Sequence, residues 1–132
     1  MLHPVTLRQF DVITQRHPDA QLEPLPSGAA LLTIPELRLP PGWSATSTCV
    51  RFIVPVGYPG PYPDCFWARS GLRLDNGQMP QASQDPNAIP ETGYQGIWFS
   101  WHVTDAHVNW NPNRDTLTTW VGAIQERFRC AK

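Results

Sequence analysis

A serine and a histidine two residues apart, Ser100 and His102, are the residue types in this chain best suited to chemistry. In an extended segment, residues i and i+2 point to the same side, so both side chains would face one surface. A hydroxyl is a poor nucleophile near neutral pH unless a base lies beside it, and an imidazole is such a base. The pair therefore predicts a serine nucleophile with a neighbouring histidine base. The same spacing is also typical of a strand that carries one serine and one structural histidine.

Metal and cofactor chemistry receives little support from the sequence. His102 and His107 lie five residues apart, which suits joint metal ligation on neither a helix nor a strand, and Asp105 is the only carboxylate close by. The chain has neither a Gly-x-Gly-x-x-Gly nor a Gly-Lys-Ser/Thr phosphate-binding motif. No CxxC pair occurs among its three cysteines, Cys49, Cys65 and Cys130. We therefore predict no metal and no cofactor.

Composition limits the class of protein and of partner. The 132 residues predict a single domain over 1–132. A net charge of -1 excludes nucleic-acid binding by bulk electrostatics, because the chain has no excess of Lys and Arg over Asp and Glu. No apolar run approaches the roughly 18 residues of a membrane span, and the first residues lack the pattern of a signal peptide. These features predict a soluble, cytoplasmic protein that contacts neither nucleic acid nor membrane.

Two helices are predicted, one near each end of the chain. Residues 6–16 form the first, with Thr6 as its cap and with Leu7, Phe10 and Ile13 on its apolar face. The second helix has Asp115 or Thr116 as its N-terminal cap. Its apolar stripe recurs at helical spacing and comprises Leu117, Trp120, Val121, Ile124 and Phe128.

The chain has fifteen prolines, and the fourteen that lie between the two helices favour short strands and shaped loops. Runs of β-branched, aromatic and aliphatic residues predict strands over residues 30–34, 37–39, 48–54, 65–68, 72–74 and 97–103. Residues 75–96 read as one long loop without regular structure, and such loops are usually functional or disordered. The order predicts an α+β fold with helices packed against one antiparallel sheet.

Four segments, in order, resemble a known enzyme superfamily. They are residues 39–42 (LPPG), 54–67 (VPVGYPGPYPDCFW), 98–102 (WFSWH) and 110–117 (WNPNRDTL). The second segment resembles the Tyr-Pro-x-x-Pro-Pro turn of ubiquitin-conjugating enzymes, and the fourth resembles their Trp-x-Pro segment followed by a helix. Together they are similar to prokaryotic family E of that superfamily, over about residues 30–128. The resemblance implies a ubiquitin-conjugating fold with an N-terminal helix, an antiparallel sheet, a long active-site loop and a C-terminal helix.

The resemblance also implies a function. Members of the superfamily carry a ubiquitin-like protein on a cysteine that follows a His-Pro-Asn turn, and this chain lacks that turn and any cysteine between Cys65 and Cys130. At the corresponding place, residues 98–102 (WFSWH) resemble a block of the bacterial branch that contains Trp, Ser and His. The resemblance therefore implies that Ser100 accepts the C-terminus of a ubiquitin-like protein as an oxyester, with His102 as general base. Asp105 would orient His102 or help to deprotonate an incoming lysine.

Two alternatives remain at this stage. One is a catalytically inactive module that only binds a ubiquitin-like protein. The other is a thioester carrier that uses Cys65, which we consider weaker because a thiolate in a buried strand would be desolvated.

The resemblance names a ubiquitin-like protein and an adenylating activating enzyme as partners. Arg8 and Arg16 on the first helix would face the activating enzyme. Trp98 and Trp101 are candidates for an aromatic protein-binding surface, although core positions are more usual for such residues.

Overall fold

Six strands form one antiparallel sheet in the order β1-β2-β3-β4-β6-β5. The computed structural model describes residues 2–132. The strands are β1 (Gln21–Pro24), β2 (Ala30–Arg38), β3 (Ser47–Val54), β4 (Phe66–Ala68), β5 (Ser83–Ala88) and β6 (Gln95–Phe99). Along the chain, helix α1 (Pro4–Arg16) precedes β1, and helix α2 (Leu117–Arg129) follows β6. The α+β class with two terminal helices and an antiparallel sheet is confirmed.

Both helices pack on one face of the sheet. Strand β3 alternates between buried and half-buried residues, and its buried Val50, Phe52 and Val54 belong to the main core. The helices contribute Ile13 and Trp120, among others, to that core. The opposite face carries a smaller buried cluster that comprises Leu25, Ala29, Leu31, Trp67 and Ile89.

Helix α2 follows the predicted pattern. Thr116 is its cap, and the backbone N–H of Thr116 donates to Thr119 Oγ1 at 3.0 Å. Every residue of the predicted apolar stripe is buried, with Trp120 at 0% exposure. Within residues 2–132, neither helix is long and apolar enough to cross a membrane.

Helix α1 differs from the prediction in two respects, its N-terminal cap and the side that faces the core. It begins at Pro4, and His3 caps it by accepting a hydrogen bond from Val5 N at its Nδ1, so Thr6 is not the cap. Thr6 lies inside the helix and is 4% exposed, whereas Leu7 is 45% exposed. The buried face is centred on Thr6 and Ile13, which are seven residues apart and therefore on the same side. Leu7 is rotated by about 100° from Thr6 and faces outward.

The predicted loop over residues 75–96 is also wrong in part, because it contains strand β5. Ser83 pairs with Phe99, and Ala88 pairs with Gln95, so β5 and β6 form a hairpin at the edge of the sheet. The sequence of β5, SQDPNA, lacks apolar alternation, and its register shifts between Gln84 and Asn87 around Pro86. Strand β1 was not predicted, and the predicted strand over 72–74 is limited to one bridge between Trp43 and Leu74.

Candidate active site

Strand β6 ends at Phe99, directly before the candidate nucleophile. The backbone N–H of Ser100 donates to Ala82 O at 2.8 Å, and Trp101 O accepts from Cys65 N at 2.8 Å. The chain then enters a turn over residues 103–107, so the strand does not run to Val103 as predicted. Ser100 and His102 nevertheless come together, with Ser100 Oγ 3.4 Å from His102 Nε2. This distance is at the long end for a hydrogen bond, as is common before a substrate binds.

The other ring nitrogen of His102 faces an aspartate that the sequence analysis missed. His102 Nδ1 lies 2.5 Å from Asp64 Oδ1. A proton on Nδ1 that is donated to Asp64 leaves Nε2 unprotonated and directed at the Ser100 hydroxyl. The hydrogen bond to Asp64 raises the pKa of His102; burial opposes this, and the charges of Asp64 and Asp105 add to it. The three side chains form a carboxylate–imidazole–hydroxyl relay of the kind that activates a serine.

Asp105 contacts His102 through the backbone and not through the ring. Its Oδ2 accepts from the His102 N–H at 2.9 Å. This bond holds the main chain at His102, while Asp64 makes the contact to the imidazole. The sequence offered one signal for Asp64, namely that an acidic residue ends the proline-rich turn.

That turn is anchored to α1, which in turn bonds to the first residue of α2. The buried Tyr58 donates from its hydroxyl to Gln9 Oε1 at 2.5 Å, and the same oxygen accepts from Leu117 N at 2.9 Å. Trp110 packs against the turn, with its ring 6.2 Å from that of Tyr58 and 5.7 Å from that of Tyr62. These contacts fix the residues directly before Asp64.

Cys65 lies at the same site. One ligand-type atom from each of Asp64, Cys65 and His102 lies within 4.8 Å of the other two. Cys65 precedes β4 and has a φ of 61°, in the left-handed region that few residues with side chains adopt. Burial raises the pKa of the Cys65 thiol, although hydrogen bonds partly offset the effect. The structure thus brings the alternative nucleophile close to the same histidine.

A cavity of about 460 Å³ opens beside Ser100. Ala82 borders it, so the segment before β5 contributes to the site as expected of residues 75–96. Its wall also includes Trp101, Asp105, Glu126 and Arg127. Arg127 is 6% exposed and donates to Gln81 O at 3.1 Å and to Lys132 O at 2.8 Å, which ties the end of α2 to this wall.

The four candidate binding residues do not form one surface. Trp98 is partly buried against the smaller cluster, on the sheet face away from the helices. Trp101 packs against the main core, and its indole N–H donates to Ala123 O at 2.9 Å. Arg8 and Arg16 are exposed on α1. The structure therefore separates the two tryptophans and leaves the two arginines accessible.

Comparison with known proteins identifies a family for this chain. A family model described as Prokaryotic E2 family E matches residues 9–131, which is nearly the whole chain. No curated protein and no solved structure gives a significant match. On the strength of the family match, the chain belongs to prokaryotic E2 family E.

Proposed function

We propose that this protein is a serine-dependent carrier in a ubiquitin-like conjugation pathway. Membership of an E2 family indicates a conjugating transferase in general terms. The observation that carries the finer proposal is the relay from Asp64 through His102 to Ser100, with distances of 2.5 and 3.4 Å. In this proposal the sheet and its two helices are a ubiquitin-conjugating fold, and the activating enzyme and the ubiquitin-like protein are the partners.

Loading would begin with the ubiquitin-like C-terminus held as a thioester on the activating enzyme. Ser100 Oγ attacks the thioester carbonyl while His102 Nε2 takes the hydroxyl proton, and Asp64 stabilises the resulting imidazolium. The acyl–sulfur bond breaks as the acyl–oxygen bond forms. The departing thiolate receives the proton from His102, so the relay returns to its starting state.

Transfer to the target would use the same histidine. An amine attacks the Ser100 ester, and His102 Nε2 accepts the amine proton and returns it to the departing Ser100 oxygen. An oxyester is less reactive toward amines than a thioester, so more of the catalysis must come from a positioned base. The Asp64–His102 contact meets this need, and the cavity beside Ser100 offers room for the acyl chain.

Cys65 supports a second candidate, a thioester carrier. Its thiol lies within 4.8 Å of a ring nitrogen of His102 and of an Asp64 oxygen. Burial raises the pKa of this thiol, which lowers the thiolate fraction near neutral pH. We therefore place Ser100 first.

The two candidates differ in the chemistry of the loaded form. The chain is incubated with the activating enzyme, ATP and the ubiquitin-like protein, and its intact mass is measured. An adduct that survives thiol reductant and is lost to hydroxylamine supports Ser100, whereas an adduct that reductant removes supports Cys65. Absence of any adduct would support a module that binds the ubiquitin-like protein without catalysis.

We propose further that Arg8 and Arg16 on α1 contact the activating enzyme. Both side chains are exposed on the helix surface. Replacing both with Glu should raise the KM for the loaded activating enzyme and leave the rate at saturation unchanged. Arg38, which is exposed on β2, is the matched control and should have no effect when replaced with Glu.

A further inference from the structure

Asp64, Cys65 and His102 together offer a carboxylate, a thiol and an imidazole at one point. Each residue places one ligand-type atom within 4.8 Å of the other two. Sulfur, imidazole nitrogen and carboxylate oxygen are the three donor types of protein zinc sites, and three protein ligands with one position open to water are typical of catalytic zinc sites. This combination goes beyond the acyl-transfer relay, which uses no sulfur.

The local backbone accounts for the convergence. Neighbouring residues in an extended chain point to opposite sides, but Cys65 has a φ of 61° and breaks that alternation directly after Asp64. The Cys65 N–H is held by Trp101 O, and the His102 N–H by Asp105 Oδ2. Cys65 and His102 are therefore fixed by contacts that do not involve their donor atoms.

An ion could reach this cluster from solvent. The side chains of Asp64 and His102 are 57% and 44% exposed. Water could therefore fill the remaining position of a four-coordinate ion. A thiolate donor favours Zn²⁺ and similar transition ions over Mg²⁺ or Ca²⁺, which prefer oxygen ligands.

We propose that Asp64, Cys65 and His102 bind Zn²⁺, and that the bound ion switches off the Ser100 relay. Nδ1 is the ring nitrogen that faces Asp64, so it becomes available to an ion once the exposed Asp64 side chain moves aside and exchanges its hydrogen bond with the ring for a bond to the ion. A neutral imidazole that ligates through Nδ1 keeps its proton on Nε2. Nε2 then donates toward Ser100 Oγ and has no lone pair with which to accept the hydroxyl proton. The inhibitory part of this proposal rests on the proposed function; the binding part does not.

Cobalt titration of the purified chain tests the binding part. Co²⁺ substitutes for Zn²⁺, and a cysteine ligand gives a thiolate-to-cobalt charge-transfer absorption. We expect this absorption to saturate at one Co²⁺ per chain and to disappear when Zn²⁺ is added. Cys65→Ser should abolish it, and Asp64→Asn should weaken Co²⁺ binding by at least about tenfold, since even indirect contacts to metal ligands are worth that much.

Cys49→Ser and Cys130→Ser are the matched controls and should keep the absorption. Circular dichroism melting of each variant separates loss of metal binding from loss of fold. Absence of the thiolate absorption in the folded wild-type chain would overturn the proposal. Its persistence in folded Cys65→Ser would overturn it equally.

A second measurement separates this proposal from the proposed function. Ser100→Ala should bind Co²⁺ like the wild-type chain, because Ser100 is not a ligand, and this readout needs neither the activating enzyme nor the ubiquitin-like protein. Saturating Zn²⁺ should suppress loading of the wild-type chain, and a chelator should restore it. Loading that proceeds unchanged at a Zn²⁺ concentration shown to saturate the chain would overturn the inhibitory role.

Discussion

His102 Nδ1 and Asp64 Oδ1 lie 2.5 Å apart, although the two residues are separated by 38 positions in the chain. One residue ends the proline-rich turn before β4, and the other follows β6, which pairs with β4. Because these two strands are neighbours, residues just outside their adjacent ends meet at one edge of the sheet. The contact orients the imidazole so that its second nitrogen faces Ser100.

Asp64→Asn should reduce the loading rate by about 10² to 10⁴, because the amide neither stabilises the imidazolium nor holds the reactive tautomer. The measurement is the single-turnover rate of adduct formation with a chelator present. Asp105→Asn is the matched control, since an amide oxygen can still accept from the His102 backbone N–H. Equal losses in the two variants would show that Asp64 has no special role toward the ring.

His102→Gln should also lower loading by about 10² to 10⁴ and leave the melting temperature nearly unchanged, since the side chain is 44% exposed. The imidazole acts as a base only when Nε2 is unprotonated. Because the contact with Asp64 raises the pKa of His102, the wild-type rate should rise with pH through a midpoint above about 6.5. A pH-independent rate between pH 5.5 and 8, with chemistry rate-limiting, would remove His102 from the mechanism.

Asp85 should make the fold sensitive to acid. Burial alone would raise the pKa of this carboxyl, but hydrogen bonds from Ser70, Arg73 and Gly71 outweigh burial and lower it. A lowered folded-state pKa contributes stability that is present above the unfolded pKa and is lost as pH falls through the folded value.

Unfolding midpoints measured from pH 7 to pH 2 test this contribution. Asp85→Asn should lower the midpoint at pH 7, and the difference from the wild type should shrink below about pH 4. Asp75→Asn is the control, because Asp75 is exposed and also lies within residues 75–96. Its unfolding midpoint should differ little from that of the wild type at any pH. A constant gap between Asp85→Asn and the wild type down to pH 2 would contradict the assignment.

Trp120→Ala should cost about 3–5 kcal/mol of unfolding free energy, since the side chain is fully buried in the main core. Trp120→Phe should cost much less, because it retains most of the ring volume and removes a buried indole N–H that has no hydrogen-bond partner among residues 2–132. Leu7→Ala, on the exposed side of α1, should change stability by about 0.5 kcal/mol or less. Denaturant unfolding of the three variants provides the unfolding free energies. If Trp120→Ala had the same unfolding free energy as the wild type, the described packing of α2 would be contradicted.

The parts of this fold that the sequence predicts are those with a periodic apolar signal. Helix α2 follows its stripe from Leu117 to Phe128, and β3 follows its run of β-branched and aromatic residues. Strand β5 has no such signal, because polar residues and a proline occupy an edge strand whose pairing is supplied by β6. The three apolar residues Leu7, Phe10 and Ile13 predict that α1 is a helix, but they are too few to fix which of its sides faces the core.

The candidate site divides in the same way. Ser100 and His102 are close in sequence, so spacing alone could pair them, although strand β6 ends at Phe99, before both residues. Asp64 and Cys65 join them only through the pairing of β4 with β6, a long-range contact that local patterns do not encode.

Intact-mass analysis of Ser100→Ala and Ser100→Cys after loading tests the central claim most directly. With the activating enzyme, ATP and the ubiquitin-like protein, the wild-type chain should gain an adduct that resists reductant. Ser100→Ala should gain none, and Ser100→Cys should gain one that reductant removes, because a thiol forms a thioester. Formation of the adduct by folded Ser100→Ala at the wild-type rate would contradict the assignment of Ser100 as the acceptor.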